Sequence, residues 1–260
     1  MILTHKQLAQ AYHTAVSEHD VATVAAMTRE DYIQHNPRVP TGRAAFLALF
    51  PFLKKHNTKI QNIRIFQDGS HVIMHHLWKN AVPFGADAKV AFHIIRFDHA
   101  GLIAEHWSVM TDIAAFNPSG RSLIDGQTEI EDLSDTDKNK EKVVELFGLL
   151  TKATTEEFEK IFPEFFLPAY HQHNSDVADG IKDLSEAIQS GRLELNYSRQ
   201  HKVFGSGNFI LSICEGTHRK ECTAFYDLFR FDKGMIAEHW SVYQEIPTSG
   251  LANDNTMFNF

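Results

Sequence analysis

The sequence predicts an α+β protein built from two tandem copies of one cone-shaped domain, each with helices packed on a curved antiparallel sheet. Three observations predict it. The hexapeptide AEHWSV stands at 104–109 and again, letter for letter, at 237–242. Further matches keep the same order on either side: YIQHN at 32–36 answers YHQHN at 170–174, Gly42 answers Gly180, and FHIIRFD at 92–98 answers YDLFRFD at 226–232. In both copies a helical apolar period comes first, and a run of strand-like segments joined by short turns follows. The repeat is far longer than a solenoid unit, so a whole domain is duplicated. Its expected boundaries are residues 1–116 and 136–260. The polar, acidic stretch 117–135 between them reads as a linker.

Each element has a local reason. Thr4-x-x-Gln7 is a capping-box pattern that opens a first helix, with Leu8, Ala11, Tyr12, Ala15 and Val16 as its apolar stripe. The second copy answers with Val143, Phe147 and Leu150, and Thr154-x-x-Glu157 opens its next helix. A short helix fits after Gly42 and after Gly180. Four strands follow in the first copy: KIQNIRIFQ, HVIMHHLW, KVAFHIIRF and LIAEHWSV. LELNYSRQHKVF, FILSICE, CTAFYDLFRF and MIAEHWSV are their counterparts, and turn signals such as Asp68-Gly69 separate the segments.

Composition excludes several classes. The formal charge of −8 argues against a nucleic-acid partner, and no run approaches the ~20 apolar residues of a membrane span. Cys214 and Cys222 make no disulfide framework, which fits a reducing, cytoplasmic home. There is no nucleophile elbow, phosphate loop or dinucleotide fingerprint. His171-x-His173 begins like a metal motif, but Val177 and Ala178 stand where a carboxylate should follow. Neither a cofactor nor a metal is therefore expected, although 16 histidines leave room for a site assembled from distant ones.

Strand alternation places His93 with Ile95 on one face, and His106 with Ser108 on one face of the next strand. The second copy has Asp227 where the first has His93. On the concave face of a curved sheet these groups look into a mostly apolar pocket. A carboxylate partly removed from water suits a general base, which nominates Asp227. His239, one strand over, would orient it or stabilise an oxyanion, and His173 with Asn174 would add hydrogen bonds from the rim.

These motifs resemble the SnoaL-like polyketide cyclases of the NTF2-like (cystatin-like) superfamily, close to the group named as aldol-condensation enzymes. YIQHNP at 32–37 matches that pattern fully and YHQHNS at 170–175 in part. Asp227-Leu228-Phe229-Arg230 and both EHWSV segments continue it. The resemblance implies acid/base chemistry on a small apolar carbonyl compound, with aldol-type cyclisation or isomerisation in the C-terminal pocket. It implies Asp227, His239 and His173 as catalytic groups. The substrate-binding groups would be Asn174, Tyr170, Phe229, Ser241, His35, Asn36, His93 and His106. The pattern's aspartate after tryptophan is Ser108 in one copy and Ser241 in the other, and His93 replaces the strand aspartate in the first. These losses favour the alternative, a non-catalytic ligand-binding or assembly module. NTF2-like domains commonly pair through the outer sheet face, so an intramolecular pseudo-dimer is expected, with Trp107, Val109, Trp240 and Val242 directed outward.

Overall fold

The computed structural model describes residues 3–113 and 116–260. It divides into two compact units, Met1–Ile113 with Pro247–Phe260, and Ala114–Ile246. The segment read as a linker thus packs with the second unit, and the end of the chain packs with the first.

In the first unit the elements run α1 (His5–Glu18), α2 (Val21–Met27), β1 (Thr28–Gln34), α3 (Arg43–Leu47), α4 (Phe50–Lys55), β2 (Lys59–Asp68), β3 (His71–Lys79), β4 (Ala88–Phe97) and β5 (Ile103–Asp112). The second unit runs α5 (Thr136–Leu150), α6 (Phe158–Phe165), β6 (Phe166–Gln172), α7 (Ile181–Gln189), β7 (Leu195–Ser206), β8 (Phe209–His218), β9 (Glu221–Asp232) and β10 (Met235–Glu245). Each sheet has five strands, in the orders β1-β5-β4-β3-β2 and β6-β10-β9-β8-β7. The four hairpin strands of each copy are antiparallel, as the turn signals require. The first strand of each sheet was not anticipated, and it pairs parallel to the EHW strand. YIQHN and YHQHN end these two strands.

Local chemistry explains the ends. Thr4 and Gln7 form the reciprocal capping box on α1. Thr154 N–H donates to Glu157 at 2.8 Å, but a single 3-10 turn follows before α6 begins. Gly42 and Gly180 take φ of 93° and 91°, a region a Cβ disfavours, and so admit the turn into α3 and α7. Their N–H groups donate to Tyr32 and Tyr170 carbonyls, each at 2.9 Å.

The buried face of α1 keeps most of its expected stripe and is wider. Tyr12, Ala15 and Val16 are buried and Leu8 packs against the core, Ala11 is exposed, and Ala9 and His13 join the buried face. A histidine therefore sits in the line that points at the sheet. The corresponding line in α5 is Val143, Leu146, Phe147 and Leu150, all buried. Among the described residues no helix is long and apolar enough to cross a membrane, and Cys214 and Cys222 are both free thiols.

Candidate functional site

Register on β8, β9 and β10 builds the inner face of the second domain. Asp227 stands opposite Ser241 on β10 and Ser212 on β8, and His239 stands opposite Phe229. His239 Nε2 lies 3.0 Å from Asp227 Oδ1. Gln172, at the end of β6, fixes the proton in this pair. Its Oε1 accepts the Asn174 N–H at 3.0 Å, so its amide nitrogen is the end that faces Tyr170 Oη and His239 Nδ1, each at 3.1 Å. Nδ1 must then accept, and Nε2 carries the proton donated to Asp227. Phe229 stacks on the imidazole at 4.8 Å.

A cavity of about 50 Å³ opens beside this pair, enough for one or two waters. Phe147, Tyr197, Phe229, Asn174, Gln172 and His239 belong to its wall. Asp227 does not, being fully buried beneath it. Its Oδ2 and the Ser241 hydroxyl make no hydrogen bond among the described residues. Burial first, and the Asp227 carboxylate next, push the Tyr197 phenol far up, so it holds its proton. Burial and the same carboxylate raise the Cys214 thiol.

The first domain places different groups on the same scaffold. The repeat aligns His93 with Asp227 and His106 with His239. His76 pairs with Ala91 as Cys214 pairs with Phe225, and His13 holds the place of Phe147 on the first helix. Four imidazoles consequently meet. His76 lies 4.3 Å from His93 and 4.8 Å from His13 between ring centres, and His93 lies 4.5 Å from His106, all edge to face. Burial pushes His13 down to about 4 and His106 to about 3, and holds His76 and His93 well below the usual histidine range. All four rings are neutral at ordinary pH. Gln34 repeats the role of Gln172: its Oε1 accepts the Asn36 N–H at 2.8 Å and its amide reaches His106 Nδ1 at 3.0 Å.

Several expected site residues lie elsewhere. His173 does not reach Asp227, because its partners occupy the opposite sheet face. It stacks on Trp240 at 4.5 Å, with Nε2 3.0 Å from Glu238 and Nδ1 2.9 Å from the Ser122 carbonyl. His35 repeats this on Trp107 with Glu105 and the Thr256 carbonyl. Both are sealed structural groups. Asn36 bonds Ser108 through its amide and so ties the end of β1 to β5. Tyr170 is buried in the core and accepts from Gln172 rather than lining the cavity. Asp227, His239, Ser241 and Phe229 do come together in the second domain, with Asn174 on the cavity wall, and His93 with His106 meet in the first. Sequence reasoning missed Gln172, Gln34, Tyr197, His13 and His76. The shared glutamine in YIQHN and YHQHN was the one signal that could have found the first two.

Comparison with known proteins agrees with this architecture. Residues 9–106 match the family model of the SnoaL-like domain. That span runs from α1 into β5 of the first domain, and the second domain repeats its elements and strand order. Similar solved structures include an NTF2-like protein of unknown function from Cytophaga hutchinsonii, 13% identical, covering 43% of this chain and 93% of its own, with a TM-score of 0.36. IdmH of Streptomyces antibioticus, a proposed polyketide cyclase, is 16% identical over 42% of this chain and 92% of its own, with a TM-score of 0.36. A candidate ketosteroid isomerase from Kribbella flavida is 19% identical over 49% and 91%, with a TM-score of 0.38. No curated protein matches.

Proposed function

We propose that the second SnoaL-like domain performs acid/base chemistry on a small carbonyl compound, with Asp227 as the proton acceptor. The observation that carries this reading is the buried Asp227–His239 pair. His239 holds Oδ1 through its Nε2–H, while Oδ2 makes no hydrogen bond among the described residues. A proton beside the substrate carbonyl would pass to Oδ2, and its electron pair would move onto the carbonyl oxygen as an enolate. Tyr197 and Asn174, on the cavity wall, are the donors available to that oxygen. Aldol-type ring closure or double-bond migration would follow from the enolate. IdmH and the Kribbella protein, described as a cyclase and an isomerase, supply the reaction classes to test first.

The test is exchange of α-protons into deuterated water, followed by NMR, over a panel of ketones and β-keto esters. A positioned general base contributes about 10²–10⁴-fold. Asp227→Asn deletes the charge while keeping the shape, so exchange should fall by that factor while His93→Asn leaves it unchanged. Exchange that survives Asp227→Asn removes Asp227 from the role.

A second reading has its own support. The cavity is only about 50 Å³ and Asp227 is not on its wall, which suits a non-catalytic site for a small apolar ligand. That reading expects no exchange with any panel member, and saturable binding of an apolar probe that Leu184→Trp abolishes by filling the cavity.

A further inference from the structure

We infer that the first domain holds a divalent transition-metal site of the zinc class, formed by His13, His76 and His93. The three come from α1, β3 and β4, and they offer one nitrogen each within 4.8 Å of one another. Imidazole nitrogens on a tetrahedral zinc stand about 3.3 Å apart, given Zn–N bonds of about 2.0–2.1 Å. Closing the present gap takes small side-chain rotations within rings that already meet edge to face.

Three further features point to a ligand rather than to packing. First, donors are unspent: His13 Nε2 and at least one nitrogen of His76 are buried without a hydrogen-bond partner among the described residues. Second, the outer partner is in place. Asn62 Oδ1 lies 2.7 Å from His13 Nδ1, so the proton sits on Nδ1 and the Nε2 lone pair faces the cluster. Third, the tandem copy is a built-in comparison. At the same positions the second domain carries Phe147, Cys214 and Asp227, so only the first domain has three imidazoles.

His106 is not a fourth ligand. Its Nδ1 accepts from Gln34, so its proton lies on Nε2, and it can only donate toward the cluster. Three neutral imidazoles bring no negative charge, and the fourth position is left for water, hydroxide or a small anion held by that donor. The donor set favours zinc, copper, nickel or cobalt over magnesium or calcium, which take oxygen ligands.

The full chain, stripped with chelator, is titrated with zinc chloride by calorimetry and with cobalt chloride by visible absorption. One equivalent of zinc and tetrahedral cobalt bands are expected. His13→Phe, which installs the second domain's residue, and His93→Gln should each weaken binding on the order of 100-fold or more, and Asn62→Ala by about 10–100-fold. His171→Gln, at an exposed position on β6, should bind like the parent. Imidazole nitrogen NMR of the unmutated chain gives a readout that no folding defect can confuse, because zinc should shift three rings and not His35 or His173. No binding by the parent chain, shifts in other rings, or binding indifferent to both His13→Phe and His93→Gln would overturn the site and leave three structural imidazoles.

Discussion

Glu238 shows how a single residue of the repeated EHW motif sets acid stability. It is almost wholly buried on the outer face of β10. Burial opposes its ionisation, but hydrogen bonds from His173 and Arg230 outweigh that and hold the carboxyl at about 2, against 4.5 for an ordinary glutamate. The folded chain therefore refuses a proton that the unfolded chain accepts between those values. Stability is fully present above about pH 4.5 and is lost as pH falls toward 2, by about 3 kcal/mol for this group. Denaturant midpoints measured across that window should fall for the parent and stay flatter for Glu238→Gln, which also starts lower at pH 7. Parallel profiles would remove Glu238 as the cause. The same scale shows what alternation can reveal. Asp227 and His239 could be put on one face from their positions in adjacent strands. Their proton arrangement depends on Gln172, which comes from β6 and is marked in the sequence only by the glutamine that YIQHN and YHQHN share. His173 was misplaced because a motif residue was assumed to face the pocket, whereas the sheet face it joins is decided by its Glu238 and Trp240 partners.

At the scale of elements, the strands joined by tight turns were legible and the parallel edge strands were not. A hairpin announces itself through residues such as Asp68-Gly69. β1 and β6 pair with strands some 70 residues away, so no turn marks them, and three of the seven residues in each are exposed. The helix stripe was legible in Tyr12, Ala15 and Val16, but the buried face is wider than the apolar residues that marked it. His13 lies on that added width, where a polar residue gives no apolar signal, and so escaped notice. The segment 117–135 was read as linker for its polar composition, yet it packs with the second domain. Asn117 donates to the Gln172 and Val177 carbonyls, and Trp240 Nε1 donates to the Asp125 carbonyl at 3.0 Å. Gly126 marks how closely it lies. A Cβ there would stand 2.2 Å from Glu238 Oε2 and 2.6 Å from the Trp240 ring, at a φ of 88°. Gly126→Ala should lower the stability of the second domain by about 1–3 kcal/mol, through overpacking and left-handed strain. Urea unfolding followed by amide hydrogen exchange in β9 and β10 would measure it, and an unchanged midpoint would show the segment to be free to lift.

At the scale of the molecule, each domain is completed by the segment that follows the other copy's last strand. Residues 247–260 belong with the first domain, as residues 116–131 belong with the second. The correspondence extends to single bonds. Trp107 Nε1 donates to the Asn259 carbonyl as Trp240 does to Asp125, and His35 meets the Thr256 carbonyl as His173 meets Ser122. Phe260 stacks on Trp107 at 4.8 Å, and Asn253 donates to the Asn36 and Val39 carbonyls. A cut of the sequence at the end of each copy therefore yields two halves that each lack their cover. Removing residues 247–260 uncovers one large aromatic side chain and leaves His35 and Trp107 without their acceptors. Burial of such a side chain is worth about 1.5–3 kcal/mol and each hydrogen bond about 1, so the first domain should lose about 3–5 kcal/mol. Hydrogen exchange on the truncated chain should accelerate in β1, β4 and β5, while β7, β8 and β9 keep their protection. Adding a synthetic peptide of residues 247–260 should restore the slow exchange, since the cover is held by contacts and not by its covalent attachment. Equal acceleration in both sheets would mean that the tail supports the whole chain, and no acceleration in either would mean that Trp107 stays covered without it.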